Sequence, residues 1–414
     1  MQITTVFYPL IYAALFFSFS AKHWFNEIVG LNLAPLIYIL FTTVILINIF
    51  AIFDYFRYFL KNLISFDGLL ILTTLISIFL IDEFHIQLFS FLGTFILFRS
   101  INNYKPSHQE SYLHMLQGIF LASIISLIGV LLGLIELSAT SSTFLLTEVP
   151  ADYPNFVLSY IGNIFKSNAI YQFSGLQYSV NYTAYMLIAG HLTLNFIRFN
   201  DGYKNIIRSL FIICLILTQA KVSYLYISSL LIFRFYNKHS LIILLLLSAG
   251  YLFMTHIAVI SMQDASYEGR YIHDLVYKID DTQFYLNLFG WLKFESFNYY
   301  LSNGPNLNDF ISKINFEPHS IIFSALLLGG LPFAISITLY LSYLYIKFTS
   351  SEWAEDRVYQ ATFFTLILET FVWDCYDAPI FWALILLFFN KKYNNVLIKD
   401  TIKLNDRYTR SPNF

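Results

Sequence analysis

The sequence predicts an all-α, polytopic membrane protein with about 12 transmembrane helices and one large loop outside the bilayer. Three observations predict it. Of 414 residues, 57% are hydrophobic and only 12% are charged, against about 25% charged in a soluble domain. Mean hydropathy is +0.62. Apolar runs of membrane-crossing length recur along the whole chain, separated by short polar pieces. A chain with so few charges has to keep most of its helices in lipid, where helices satisfy their own backbone groups. Residues 1–414 read as a single integral membrane domain.

The spans fall in order at about 4–20, 31–53, 66–81, 84–98, 114–137, 179–197, 207–219, 222–235, 240–260, 318–347, 358–373 and 377–390. The first has no basic region before it and is followed by further spans, so it reads as a membrane helix and not as a signal peptide. The stretch 318–347 is too long for one plain span, and Gly329, Gly330 and Pro332 lie inside it. It reads as a half-helix followed by a full helix. Cytoplasmic segments of membrane proteins carry an excess of Lys and Arg. With the N-terminus inside, only Lys22, Lys166, Lys221, Arg270, Lys278, Lys293 and Lys313 fall outside, leaving 17 of the 24 basic residues inside.

Two long segments then lie on the outer side, 138–178 and 261–317. The second holds eight Asp and Glu against four Lys and Arg, a net of −4. Its apolar piece "FYLNLFGWLKF" (284–294) suits short amphipathic helices lying on the membrane. Aromatics make up 19% of the chain, with 31 Tyr. Tyr favours the membrane interface, so the plain reading of these residues is interfacial belts, with some outside the membrane stacking on sugar rings.

Composition also excludes. The net charge is −2 and no basic block exists, which argues against nucleic acid. Cys214 and Cys375 stand far apart in apolar surroundings and form neither a disulfide framework nor a CxxC pair. The nine histidines form no HxH or HxxxH cluster, so no metal is expected.

Three cations remain on the outer side. Lys221, in "ILTQAKVSYLY", falls at the turn between two short spans; Arg270, in "SYEGRYIH", opens the large loop; His319 closes it. Each has a plain structural reading. Lys221 snorkels to the interface, Arg270 pairs with Glu268 or Asp274, and His319 with Ser320 opens a helix. Together they form a cationic site for an anion at headgroup level. Arg offers a fork to phosphate oxygens and Lys a point charge, and the helix opening near His319 adds partial positive charge.

"PHSIIFSALLLGGLPF" (318–333) resembles the histidine–helix–glycine signature of the bacterial O-antigen ligase and O-antigen polymerase superfamily. "EGR" (268–270) is similar to the small-residue–Gly–Arg that opens the family's large periplasmic loop. "LTQAKVS" (217–223) sits where the family has a Thr-x-Ser-Arg turn, and "FSGLQYSVNYTAYML" (173–187) is similar to the Gly- and Asn-containing segment just upstream. The resemblance covers roughly 170–350; before that it rests on hydropathy. It departs at Lys221, which keeps the charge of the family's arginine but loses its fork.

What the resemblance implies is a polytopic inner-membrane glycosyltransferase, with about 12 spans and a large periplasmic loop containing short helices. The family uses undecaprenyl-pyrophosphate-linked glycan on the periplasmic face, with no cofactor and no metal. Arg270, then Lys221, would neutralise the leaving pyrophosphate. His319 would accept the acceptor hydroxyl's proton or hold the pyrophosphate. Glu268, Asp274 and Glu317 are further candidates for the base or for orienting His319; Gly175, Asn181 and Ser320 complete the substrate-binding set. The expected activity is O-antigen or capsular repeat-unit polymerase, whose acceptor is a second lipid-linked repeat unit. Membrane lipids and a chain-length regulator protein are the further partners. A ligase transferring glycan to lipid A core or protein is the alternative. In another class, a lipid-linked-oligosaccharide flippase is the rival, with Asp374 and Asp377 as its carboxylates.

Overall fold

The computed structural model describes residues 4–80, 86–102, 109–139, 145–149, 170–177, 180–197, 199–235, 285–286, 292–293, 321–349, 357–370 and 379–387. They form a helical bundle. Its helices are α1 (Thr4–Trp24, continued by one π-turn at Phe25–Val29), α2 (Ala34–Ile47), α3 (Ile49–Lys61), α4 (Phe66–Leu80), α5 (Ile86–Asn102) and α6 (Gln109–Ala139). After a strand pair come α7 (Val180–Thr193), α8 (Asp201–Thr218), α9 (Lys221–Phe235), α10 (Ile321–Thr349), α11 (Arg357–Glu369) and α12 (Pro379–Leu387). The expected span at 240–260 lies outside the described residues.

By length and apolar composition, two helices among the described residues can cross a membrane, Glu110–Glu136 in α6 and Gly329–Lys347 in α10. A third crossing is added if the bent pair α2–α3 counts as one. The described residues are therefore predominantly α-helical, with two or three helical segments long and apolar enough to cross a membrane.

Packing follows small residues. α1 lies along α6, and a Cβ on Gly118 would collide with Tyr12 and meet the Pro9 carbonyl at 2.9 Å. Only a glycine permits that approach of two backbones. α6 also packs on α7, α4 on α10, and α9 on α11. An aromatic cluster fills the join of α5, α10 and α12. Trp382 lies edge-on to Phe91 and Phe95 with centroids 5.2 and 5.8 Å away, and Tyr340 lies 5.2 Å from Phe95.

The structure departs from the sequence reading in three places. The expected span 31–53 is not straight: the axis turns by 70° between α2 and α3. Asn48 sits at the bend, and its Nδ2 donates to the Val44 carbonyl (2.8 Å) and to Tyr12 Oη (2.6 Å). A side chain bonding a carbonyl in its own helix is a recognised cause of bending. Beyond it, α3 buries Ala51, Tyr55 and Phe59 on one stripe.

The second departure concerns tyrosine. Tyr12, Tyr55, Tyr112, Tyr185, Tyr226, Tyr340 and Tyr359 are fully buried. These rings are core and not interfacial belt, and three of them anchor their hydroxyls on polar side chains inside the bundle: Tyr12 on Asn48, Tyr55 on Asp67 and Tyr226 on His191. The third is strand. β1 (Leu146–Val149) pairs antiparallel with β2 (Ile170–Phe173), with Leu146 opposite Phe173. β3 (Tyr285–Leu286) pairs with β4 (Leu292–Lys293), where amphipathic helix was expected.

The break in the long span is as the glycines predict. Within α10, Gly330 has φ 75° and ψ 177°, which divides the helix into two halves. The carbonyl freed at Gly329 is taken by Ser77 Oγ of α4 at 2.7 Å. Away from the break, Arg99 in the last turn of α5 donates Nε to Asp67 Oδ2 in the first turn of α4 at 2.6 Å. Tyr55 Oη of α3 donates to the same oxygen at 3.4 Å, so one carboxylate holds three helices.

Candidate functional site

The expected site residues divide into two groups. Lys221, Gly175 and Asn181 lie among the described residues. Arg270, His319, Glu268, Asp274, Glu317 and Ser320 lie outside them, as do Asp374 and Asp377.

Lys221 is the first residue of α9. It follows a compact polar turn set into an otherwise apolar bundle. Thr218 closes α8, and its Oγ1 shares a hydrogen bond with Ser223 Oγ at 2.8 Å. Ala220 is the N-cap of α9, its carbonyl accepting from Ser223 N at 3.0 Å and Tyr224 N at 3.3 Å. Between them Gln219 takes φ +53°, the one left-handed non-glycine among the described residues. Its carbonyl accepts from Gln172 Nε2 of β2 at 3.4 Å, and its Oε1 accepts from Tyr224 Oη at 3.1 Å. The residue is 1% exposed. No acidic residue stands in the first turn of α9, so nothing there offsets the positive end of the helix dipole.

Gly175 and Asn181 lie just beyond β2, whose Gln172 bonds this turn. Gly175 has φ +61°, and a Cβ there would stand 3.1 Å from the Gly129 carbonyl carbon of α6. Both the backbone and the space demand glycine. Its N–H donates to the Leu145 carbonyl at 2.9 Å, which ties it to β1. Gln177 Nε2 donates to Ser126 Oγ of α6 at 2.7 Å. Thr183 Oγ1 donates to the Ser174 carbonyl at 2.5 Å, fixing the start of α7 to the strand pair. Asn181, the second residue of α7, is half-buried.

These bonds place the starts of α7 and α9 together. The other end of α7 is marked by Phe196, whose ring meets Tyr359 near the start of α11 at 6.0 Å. α11 packs on both α7 and α9, so it runs back toward Lys221 and ends at that level. There, the Thr370 carbonyl just past α11 accepts the N–H of Ile321, the first residue of α10, at 3.0 Å. Chain segments a hundred residues apart thus converge on one end of the bundle: the turn 218–223, the segments 172–177 and 180–183, and the join of Ile321 to Thr370.

Sequence reasoning missed four residues here. Gln172, Gln177 and Gln219 give no sequence signal beyond being polar, except that Gln219 stands two residues before Lys221 in "LTQAK". Glu369, the last residue of α11, is 4% exposed. A carboxylate buried in an apolar helix is a functional candidate by its cost alone; Glu369 falls inside the expected span 358–373.

Comparison with protein-family models, with curated proteins and with solved structures finds no match to this chain. The family resemblance rests on the four quoted segments alone.

Proposed function

We propose that the chain is an O-antigen or capsular repeat-unit polymerase of the bacterial inner membrane, working on the periplasmic face through about 12 spans. Its donor is undecaprenyl-pyrophosphate-linked glycan, and its acceptor is a sugar hydroxyl of a second lipid-linked repeat unit. The observation that carries this reading is the polar turn at the start of α9. Lys221 opens a helix whose first turn has no acid, at the bundle end where α10 begins beside Thr370.

The reaction asks for little else at that position. The acceptor oxygen forms a bond to the anomeric carbon, and the bond from that carbon to the diphosphate oxygen breaks. The hydroxyl proton passes to a base, and the lipid diphosphate leaves with the electron pair. Negative charge grows on the leaving oxygens, and fixed cations and N–H groups stabilise it. Lys221 and the α9 N-terminus supply both kinds of group. Arg270 adds a second cation in this reading, and His319 acts as base or diphosphate ligand. A chain-length regulator protein is the expected partner.

A ligase shares this donor and this chemistry and differs in its acceptor. The flippase reading draws support from the break at Gly330, because interrupted helices line the substrate path of many transporters. Reconstitution separates the three. Purified protein given only lipid-linked repeat units lengthens the glycan if it is a polymerase. A ligase needs lipid A core or protein as acceptor. A flippase moves the lipid across vesicles and lengthens nothing.

A further inference from the structure

We infer that Gln219 is a diphosphate-binding residue, its Nε2–H donating to an oxygen of the leaving group over the N-terminus of α9. The inference rests on the reading above that a lipid diphosphate docks at this end of the bundle.

Four observations carry it. Gln219 Nε2 has no hydrogen-bond partner among the described residues, in a side chain that is 1% exposed. A buried donor left open is costly, and native proteins almost always fill it. The amide is also held. Its Oε1 accepts from the hydroxyl of Tyr224, a residue of the first turn of α9, which ties the amide that carries Nε2 to that helix. Because Ala220 is the N-cap, the N–H groups of Lys221 and Val222 precede the first ladder bond and join it as donors.

The backbone gives the fourth observation. Gln219 caps α8 at φ +53°, a place where glycine or asparagine sits without penalty. A helix cap alone does not call for glutamine there. The Gln172 bond to its carbonyl holds this left-handed backbone, and the Tyr224 bond to Oε1 holds the amide.

The chemistry of the open group selects its ligand. An amide N–H2 only donates, and a diphosphate oxygen only accepts. A lysine is a point charge on a flexible stem and fixes no orientation by itself. A neutral, preoriented donor two residues before Lys221 supplies direction beside charge.

The test uses the full-length protein in detergent, with inorganic pyrophosphate and a polyprenyl diphosphate as probes in a calorimetric titration. Wild type binds both. Gln219→Gly removes the donor and relaxes the backbone; it keeps or raises Tm and binds about tenfold more weakly, the loss of one hydrogen bond to a charged group. Gln219→Glu binds more weakly still, because it sets a carboxylate against the anion. Binding within about twofold of wild type in both variants overturns the inference. So does a Gln219→Gly chain that fails to fold, since the side chain would then be structural. A folded wild type that binds neither probe contradicts instead the placing of a diphosphate here.

Discussion

Ser77 Oγ of α4 donates to the carbonyl of Gly329 in α10 at 2.7 Å, across 252 residues of chain. The bond takes up the carbonyl released where Gly330 leaves helical geometry. Ser77→Ala leaves that carbonyl buried without its hydroxyl, at a cost of about 1–3 kcal/mol. Thermal unfolding in detergent should show the loss. Ser77→Thr, which keeps the hydroxyl, should restore most of it.

Gly330→Ala tests the break itself. At φ 75° and ψ 177° the position favours glycine alone, and any side chain there costs about 1–3 kcal/mol. The account expects a lower Tm and reduced turnover together, because the half-helix from Ile321 changes its angle to the Thr370 join.

The Asp67–Arg99 pair makes a different prediction. Its side chains are 7% and 14% exposed. Removing one partner strands a buried charge, and Arg99→Met alone should destabilise by about 3–5 kcal/mol. The double variant Asp67→Leu with Arg99→Met should recover most of that loss, as expected when the cost lies in the uncompensated ion. Unfolding curves of the two singles and the double decide it.

How much of this was legible in sequence depends on the range of the forces involved. The turn between spans 207–219 and 222–235 appears in the structure between Thr218 and Lys221, and the break at 329–332 appears at Gly330. Both are local signals, from polar residues between apolar runs and from glycine beside proline. The bend at Asn48 was not legible, because one asparagine in an apolar run reads as a span until its bond to Tyr12 is seen. Nor was the burial of seven tyrosines, which depends on which helix covers each ring. The site was half legible. Lys221 stands out by its charge at a turn and Gly175 by the family resemblance, whereas Gln219 and Glu369 acquire meaning only once α7, α9 and α11 are seen to share an end.

Glu369 is predicted to matter for function more than for folding. Glu369→Gln keeps the shape of a side chain that is 4% exposed and removes its capacity to take up a proton. Glycan synthesis should fall by roughly 10²-fold or more if it takes the acceptor's proton, with Tm little changed. A variant with full synthesis would leave the carboxylate a structural role.

The most direct test of the central claim is glycan length in proteoliposomes that contain only this chain and undecaprenyl-pyrophosphate-linked repeat units. The account predicts a ladder of lengthened lipid-linked glycans with wild type, and a loss of roughly 10²-fold or more with Lys221→Ala. Wild-type vesicles that move the lipid across the bilayer without joining a single unit would contradict it.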